Sequence, residues 1–269
     1  MKLHDTHAHL LFPALAGRLE QVLENARQAG VLRITVPALG PDPAELARTL
    51  DFAARTPGIT VIAGVHPHQA STSTPAFLDA VAAAADRLVA WGEIGLDFHY
   101  DFSPRDVQAA VFADQLDRAR SARLPVALHV REAHDETLAL LRDHPAAPGS
   151  IVHCFTGDAR TADRYLTLGF YISFSGIVTF PKALEVQEAA RMVPADRLLV
   201  ETDAPYLAPR SHRGRTCEPA HVRETLMALA ALRGDDPGVL AAAAWDNGHR
   251  ALAARGGGSD LTLGKEGAP

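Results

Sequence analysis

From residue 3 to residue 202 the chain repeats one pattern: a short, nearly continuous apolar run, then a segment with helical patterning. The apolar runs occupy 3–6, 31–37, 59–65, 88–94, 124–130, 150–155, 170–174 and 198–202. Runs that are apolar at almost every position, rather than alternating, belong to strands covered on both faces. The segments between them, at 18–29, 43–54, 75–86, 104–122, 133–143, 159–168 and 183–192, have the length of helices. Pro43, Pro75 and Pro104 stand near helix starts, where a missing N–H costs nothing. Gly30 and Gly169 stand where a helix must end before the next strand. Strand–helix alternation builds parallel βαβ units. Eight of them close into a (β/α)8 TIM barrel, an α/β fold of about 250 residues, and the chain has 269.

No low-complexity linker interrupts the pattern, so one domain is expected over residues 1–255, ending in a pair of helices at 219–233 and 237–255. The Gly-rich stretch 256–269 is expected to be a disordered tail. With 47% hydrophobic and 22% charged residues the chain can bury a large core. Its formal net charge of -6 repels phosphate, so any nucleic-acid contact must come from a local basic patch or from bound cations. Two cysteines, Cys154 and Cys217, make no disulfide framework. The opening MKLHDTHAHL has no apolar signal region, and no stretch approaches the roughly 20 apolar residues of a spanning helix. A cytoplasmic protein without membrane contact is therefore expected, and no pattern points to an obligate protein partner.

The polar residues are informative by position. His7 and His9 close the first strand, and His66 and His68 follow the third in GVHPH. Glu93 stands in WGEIGLD at the end of the fourth, His129 in LHVRE at the end of the fifth, and His153 in VHCFTG at the end of the sixth. Asp203, in ETDAPYL, ends the eighth. In a TIM barrel all these strand ends meet on one face, where active sites sit. A single histidine at a strand end is ordinarily a hydrogen-bonded structural group, and His4, His99, His134, His144 and His249 are read as structural or solvated. His7 and His9 are two apart on a strand and share a face. Glu93 would be costly to bury unpaired, so it calls for a cation or an arginine, and Asp203 could equally cap a turn. Coincidence at so many corresponding strand ends favours a metal site.

Imidazoles and carboxylates of this kind can hold two divalent ions. Two ions about 4 Å apart clamp the attacking and leaving oxygens of a phosphoryl transfer and acidify a bound water. Asp203 is the candidate to take that water's proton. Barrels of related chemistry bridge their ions with a carbamylated lysine, but Lys2, Lys182 and Lys265 are the only lysines and none lies in a strand. Glu93 is therefore the expected bridge. The loop after Asp203 carries Arg210, His212, Arg213 and Arg215, a candidate phosphate clamp or an ordinary solvated loop. Arg131, two residues after His129, is a second phosphate candidate. Cys154, next to His153, is expected to turn away from the metals by strand alternation.

DTHAHL, GVHPH, GEIGLDFHY, LPVALHVREA, HCFTG, SFSG and ETDAPYLAP, followed by RG and EP, occur in this order over residues 3 to 250. The ordered set resembles the TatD family of metal-dependent deoxyribonucleases within the metallo-dependent hydrolases. The resemblance implies a TIM barrel, divalent ions (magnesium, manganese or zinc) and hydrolysis of DNA phosphodiester bonds, often exonucleolytic on single strands. It implies His7, His9, Glu93 and Asp203 as ligands of one ion, and Glu93, His129 and His153 as ligands of the second. It places His66 near the substrate phosphate. The chain departs from the family where Cys217 replaces an asparagine in RTCEP, which touches the geometry of the last loop rather than hydrolysis. The competing expectations are a small-molecule amidohydrolase on the same barrel and a non-catalytic binding scaffold.

Overall fold

In the computed structural model, which describes residues 1–253, eight strands lie in sequence order and every neighbouring pair is parallel. They are β1 (Leu3–Asp5), β2 (Val31–Leu39), β3 (Ile59–Gly64), β4 (Ala90–Asp97), β5 (Val126–Arg131), β6 (Ile151–Val152), β7 (Tyr171–Phe174) and β8 (Leu198–Val200). Between them run α1 (Pro13–Ala16), α2 (Leu19–Gln28), α3 (Pro43–Arg55), α4 (Pro75–Ala83), α5 (Arg105–Ser121), α6 (His134–Asp143), α7 (Ala159–Thr167) and α8 (Leu184–Met192). Helices α9 (Val222–Arg233) and α10 (Pro237–Ala251) follow β8. The expected tail at 256–269 lies outside the described residues. Among those described, no helix is long and apolar enough to cross a membrane.

Local chemistry sets the helix starts. Asp42 accepts a hydrogen bond from Ala44 N (2.9 Å) ahead of Pro43, and Asp158 accepts one from Thr161 N (2.7 Å). Asp236 accepts from Gly238 N and Val239 N ahead of Pro237. Such caps satisfy amide groups that the first helical turn leaves open. Pro104 sits one residue earlier than expected, at the cap position of α5 rather than inside the helix.

The sheet closes on itself. Thr6 N donates to Val200 O (3.1 Å), Asp203 N to His7 O (2.9 Å) and His9 N to Ala204 O (2.7 Å). Below this seam the buried Asp5 carboxylate accepts from Thr202 N (2.8 Å) and Thr202 Oγ1 (2.6 Å), stapling the first strand to the last. The main apolar core lies between strands and helices, with Trp91, Phe112, Tyr165 and Phe174 among its fully buried members. A second cluster joins Ile62, Ala90, Ala127, Ile151, Tyr171 and Leu199, one from each of β3 to β8, with Ala251 and Leu252. Residues from six strands can meet only inside the barrel, and mostly they stand near the strands' N-terminal ends. Helix α10 therefore closes that floor. It approaches so closely that a Cβ on Gly248 would stand 2.5 Å from His4 Nδ1.

Candidate metal centre at the mouth of the barrel

At the opposite end the expected side chains converge on Glu93. This residue is not at the end of its strand, as the apolar pattern suggested, but within β4, which continues to Asp97. The reason is a bulge. Gly92 pairs with Ala127 and Ile94 with Leu128, so Glu93 is the extra residue of its ladder, and a bulge re-aims the side chain it carries. Glu93 Oε1 lies 2.7 Å from His153 Nε2, 2.8 Å from His129 Nδ1 and 3.3 Å from His66 Nε2. Its other oxygen lies 3.2 Å from His7 Nε2. His9 Nε2 stands 3.2 Å from Asp203 Oδ1, and the His7 and His9 rings are 5.0 Å apart.

Helix α5 holds the strand ends that deliver these groups. Gln115 Oε1 accepts from Val65 N and Trp91 Nε1, and its Nε2 donates to Val65 O, fixing the chain just before His66. One face-repeat earlier, Gln108 does the same for Asp97 through its N and O. Gly95 (φ 142°) lets β4 lie against β5, because a Cβ there would meet His129 O at 2.0 Å.

Four groupings of donor atoms could hold an ion: His7, His9 and Glu93; His7, His153 and Asp203; Glu93, His129 and His153; and His66, His68 and His129. Within each, the donor atoms lie within 4.8 Å of one another. His129 Nδ1 hydrogen-bonds to Glu93, but other nitrogens of the cluster stand close to carboxylates without a hydrogen bond. Both nitrogens of His7, and His9 Nδ1, are buried and have no hydrogen-bond partner among the described residues. Buried polar atoms left this way are uncommon, and imidazole nitrogens beside carboxylate oxygens form a donor set that suits divalent transition ions. The residues present therefore fit a metal centre.

Charge balance at the centre follows from who faces whom. Burial would raise the Glu93 carboxyl, but His153, His66 and His7 and the hydrogen bond from His129 outweigh it and hold the group well below the usual range. Burial would lower His153, yet Glu93 and Glu201 lift it well above an ordinary histidine. His129 is raised too, with burial opposed by Asp97 and Glu93. His7 and His66 go the other way: burial dominates, taking His66 to about 4. For Asp203, burial is outweighed by His9 and the other histidines, so its carboxyl is lowered and the group is ionised near neutral pH.

Two carboxylates in contact with these histidines escaped the reading of the sequence. Buried Asp97 accepts from His68 Nε2 (2.8 Å) and His129 Nε2 (3.1 Å) through Oδ2, and from His99 N and Tyr100 N through Oδ1. Buried Glu201 lies 3.2 Å from His153 Nδ1 and accepts from Cys154 N (2.7 Å). Asp97 and Glu201 thus hold the far nitrogens of His129 and His153, whose near nitrogens face Glu93, the arrangement that orients metal-binding histidines. Asp203 and Glu201 are two apart in ETD, the same spacing that singled out His7 and His9, so the signal was present.

Arg131 lines the cavity around Glu93, a space of about 940 Å³, and its guanidinium lies 4.7 Å over the Tyr100 ring. Arg210, Arg213 and Arg215 do not line it. Arg210 borders a separate surface hollow near Thr179, Arg213 stacks on Phe180, and all three are exposed. Cys154 corrects the alternation argument. Strand β6 ends at Val152, and Cys154 at φ 43° turns into the cavity, with Sγ 3.3 Å from Ser175 Oγ. Burial raises its thiol well above the usual range. Cys217 is buried, as expected of a small packing residue. His134, read as structural or solvated, lines the cavity and sits 3.2 Å from Tyr165 Oη.

A family model described as TatD related DNase matches residues 4–253. The Bacillus subtilis protein named uncharacterized metal-dependent hydrolase YabD is 38% identical over 234 residues, spanning 86% of this chain and 91% of that protein. The 3'-5' ssDNA/RNA exonuclease TatD of Erwinia billingiae is 37% identical over 246 residues, spanning 88% and 93%. The crystal structure of YJJV, a TatD homologue from Escherichia coli, superposes with a TM-score of 0.86 at 31% identity, covering 93% of this chain and 97% of that one.

Proposed function

The chain belongs to the TatD related DNase family, and on that premise we propose that it is a metal-dependent exodeoxyribonuclease that hydrolyses phosphodiester bonds at the end of single-stranded DNA. The observation that carries this reading is the placement of Glu93, whose two carboxylate oxygens face different sets of imidazoles. A carboxylate so placed suits a bridge between two cations. His7, His9, Glu93 and Asp203 would hold one ion, and Glu93, His129 and His153 the other. Two divalent ions supply polarisation of the phosphoryl oxygens and a water acidic enough to ionise near neutral pH.

The chain's own groups do the rest. Asp203, held ionised by the histidines around it, takes the proton of the attacking water. His66, whose Nδ1 is occupied by His68 N, turns Nε2 toward Glu93 and can meet a non-bridging phosphate oxygen beside the ions. Arg131, the one arginine lining the cavity among the described residues, contacts the phosphate of the same nucleotide or its neighbour. Arg210, Arg213 and Arg215 lie farther out and would serve phosphates beyond the one cleaved. The Erwinia relative's name gives 3'-5' polarity, and we propose the same direction for this chain.

The test is digestion of end-labelled single-stranded DNA by chelator-stripped protein, with magnesium, manganese or zinc restored and Glu93→Ala alongside. A metal-dependent ladder shortening from the 3' end, with activity in the variant reduced by more than the ten- to hundredfold typical of losing an outer partner, is the expected result. No cleavage by protein that binds two ions would move the assignment to a small-molecule hydrolase, and activity within a few-fold in Glu93→Ala would remove the bridge.

A further inference from the structure

Burying an aromatic side chain is favourable, so exposed rings call for a reason. Among the described residues the exposed large aromatic side chains are Tyr100 (47%), Phe102 (66%) and Tyr206 (54%), and all three stand at the mouth of the barrel. Tyr100 and Tyr206 line the cavity that holds Glu93. Phe102 lies beside it, its ring stacked on Tyr100 (centroids 5.4 Å apart, planes 5° apart) and edge-on to His68 at 4.8 Å.

These rings are not on a loose loop. Asp97 Oδ1 holds the backbone of His99 and Tyr100, and buried Ser103 accepts from Ser71 N and donates to His68 O. Arg105 reaches back to Asp101 and Phe98 O. The segment is anchored on both sides of Tyr100 and Phe102 yet presents their rings to solvent. On the facing side, Tyr206 is fixed by its backbone N to Asp203 O (2.9 Å) and packs edge-on to Phe12 (6.3 Å), which stacks on His9 (4.5 Å).

We propose that Phe102, backed by Tyr100, which Arg131 also covers, forms a nucleobase-stacking platform that selects single-stranded nucleic acid, with Tyr206 as its counterpart across the cavity; the choice of occupant rests on the nuclease reading above. Charge cannot supply most of the affinity for such an occupant. The chain carries a net charge of -6, and Glu132, Asp158 and Glu185 line the cavity beside Arg131. The electrostatic footprint that normally carries nucleic-acid affinity is therefore weak, and stacking is the sequence-tolerant alternative. Bases inside a duplex already cover one another's faces, so a platform of this kind favours strands whose bases are free.

The experiment reads binding before turnover, by stopped-flow anisotropy of a fluorescein-labelled oligothymidylate with full-length, metal-loaded protein. Phe102→Ala should weaken binding about tenfold, whereas Phe102→Tyr, which keeps a ring, should stay within about twofold. An abasic oligonucleotide of the same length should bind the wild-type protein weakly and Phe102→Ala equally weakly. A fluorescent aminopurine base at the strand end should be quenched by wild type and not by Phe102→Ala. Equal affinity of wild type and Phe102→Ala for the oligothymidylate overturns the platform, as does an equal loss for the abasic strand. Tight binding of blunt duplex by the wild type overturns it as well. Cleavage is scored separately: cleavage with unchanged binding leaves the nuclease and removes the platform, and stacking without cleavage does the reverse.

Discussion

His4 and His7 lie on the same stretch of chain, yet one belongs to the floor of the barrel and the other to its mouth. At the floor, His4 Nε2 meets Thr35 Oγ1 at 2.9 Å, and Thr35 in turn meets Thr60 Oγ1 at 2.9 Å. Burial, reinforced by the positive charge of Arg33 and by His249, lowers His4 to about 3. It is a neutral group closed in by helix α10. At the mouth, burial also disfavours charge on His153 and His129, but Glu93, Glu201 and Asp97 face them and reverse its effect, while at His7 and His66 burial still prevails. Burial sets the cost of an imidazolium, and only where enough carboxylate faces the ring is that cost offset. The floor uses histidine as a packing group, while the mouth surrounds it with carboxylates and leaves nitrogens pointing inward.

The sharpest way to break this contrast is to neutralise a mouth carboxylate outside the proposed ion ligands. Asp97→Asn or Glu201→Gln should cost about ten- to hundredfold in metal affinity, read by calorimetric titration of the chelator-stripped protein. Unchanged affinity would make these two carboxylates merely structural, with the mouth no different from the floor.

The floor gives a pH effect of the opposite kind. The folded protein resists protonating His4 down to about 3, whereas the unfolded chain takes up that proton near 6.5. The unfolded state therefore binds more protons across this window, and the stability that neutral His4 contributes is lost as pH falls through it. His4→Gln should reduce the fall in unfolding free energy between neutral pH and about pH 4.5 by about 2 kcal/mol, on the order of the linkage expected for such a shift. Urea midpoints for wild type and variant at the two pH values check this, and parallel acid slopes would mean the floor histidine is protonated in place.

The smallest effect belongs to the rim outside both regions. Arg213→Ala and Arg215→Ala should each weaken oligonucleotide binding about two- to fivefold at low salt and hardly at all at high salt, since exposed charges are screened. Loss of binding that persists in high salt would place these arginines inside the site.

The alternation of apolar runs and helices was enough to read the barrel, because strands buried on both faces must be apolar throughout. Boundaries were less legible. The run ending at Ile94 is the front of a strand that reaches Asp97, and the bulge at Glu93 has no composition of its own. The histidines stood out because each interrupts an apolar run. Asp97 did not, because what defines it is contact with an imidazole 32 residues away, and Glu201 was passed over although its spacing to Asp203 matched that of His7 and His9. Cys154 shows the limit of alternation, which holds only while the chain remains a strand.

The seal that α10 makes beneath the strands also governs traffic. A barrel stopped at one end is a blind vessel, with Tyr100 and Tyr206 at its doorway. Side chains fill the barrel above that seal, so nothing passes through it, and whatever enters the mouth must leave by the mouth. For the exonuclease proposed above, the freed nucleotide would leave by the same door through which the shortened strand must advance.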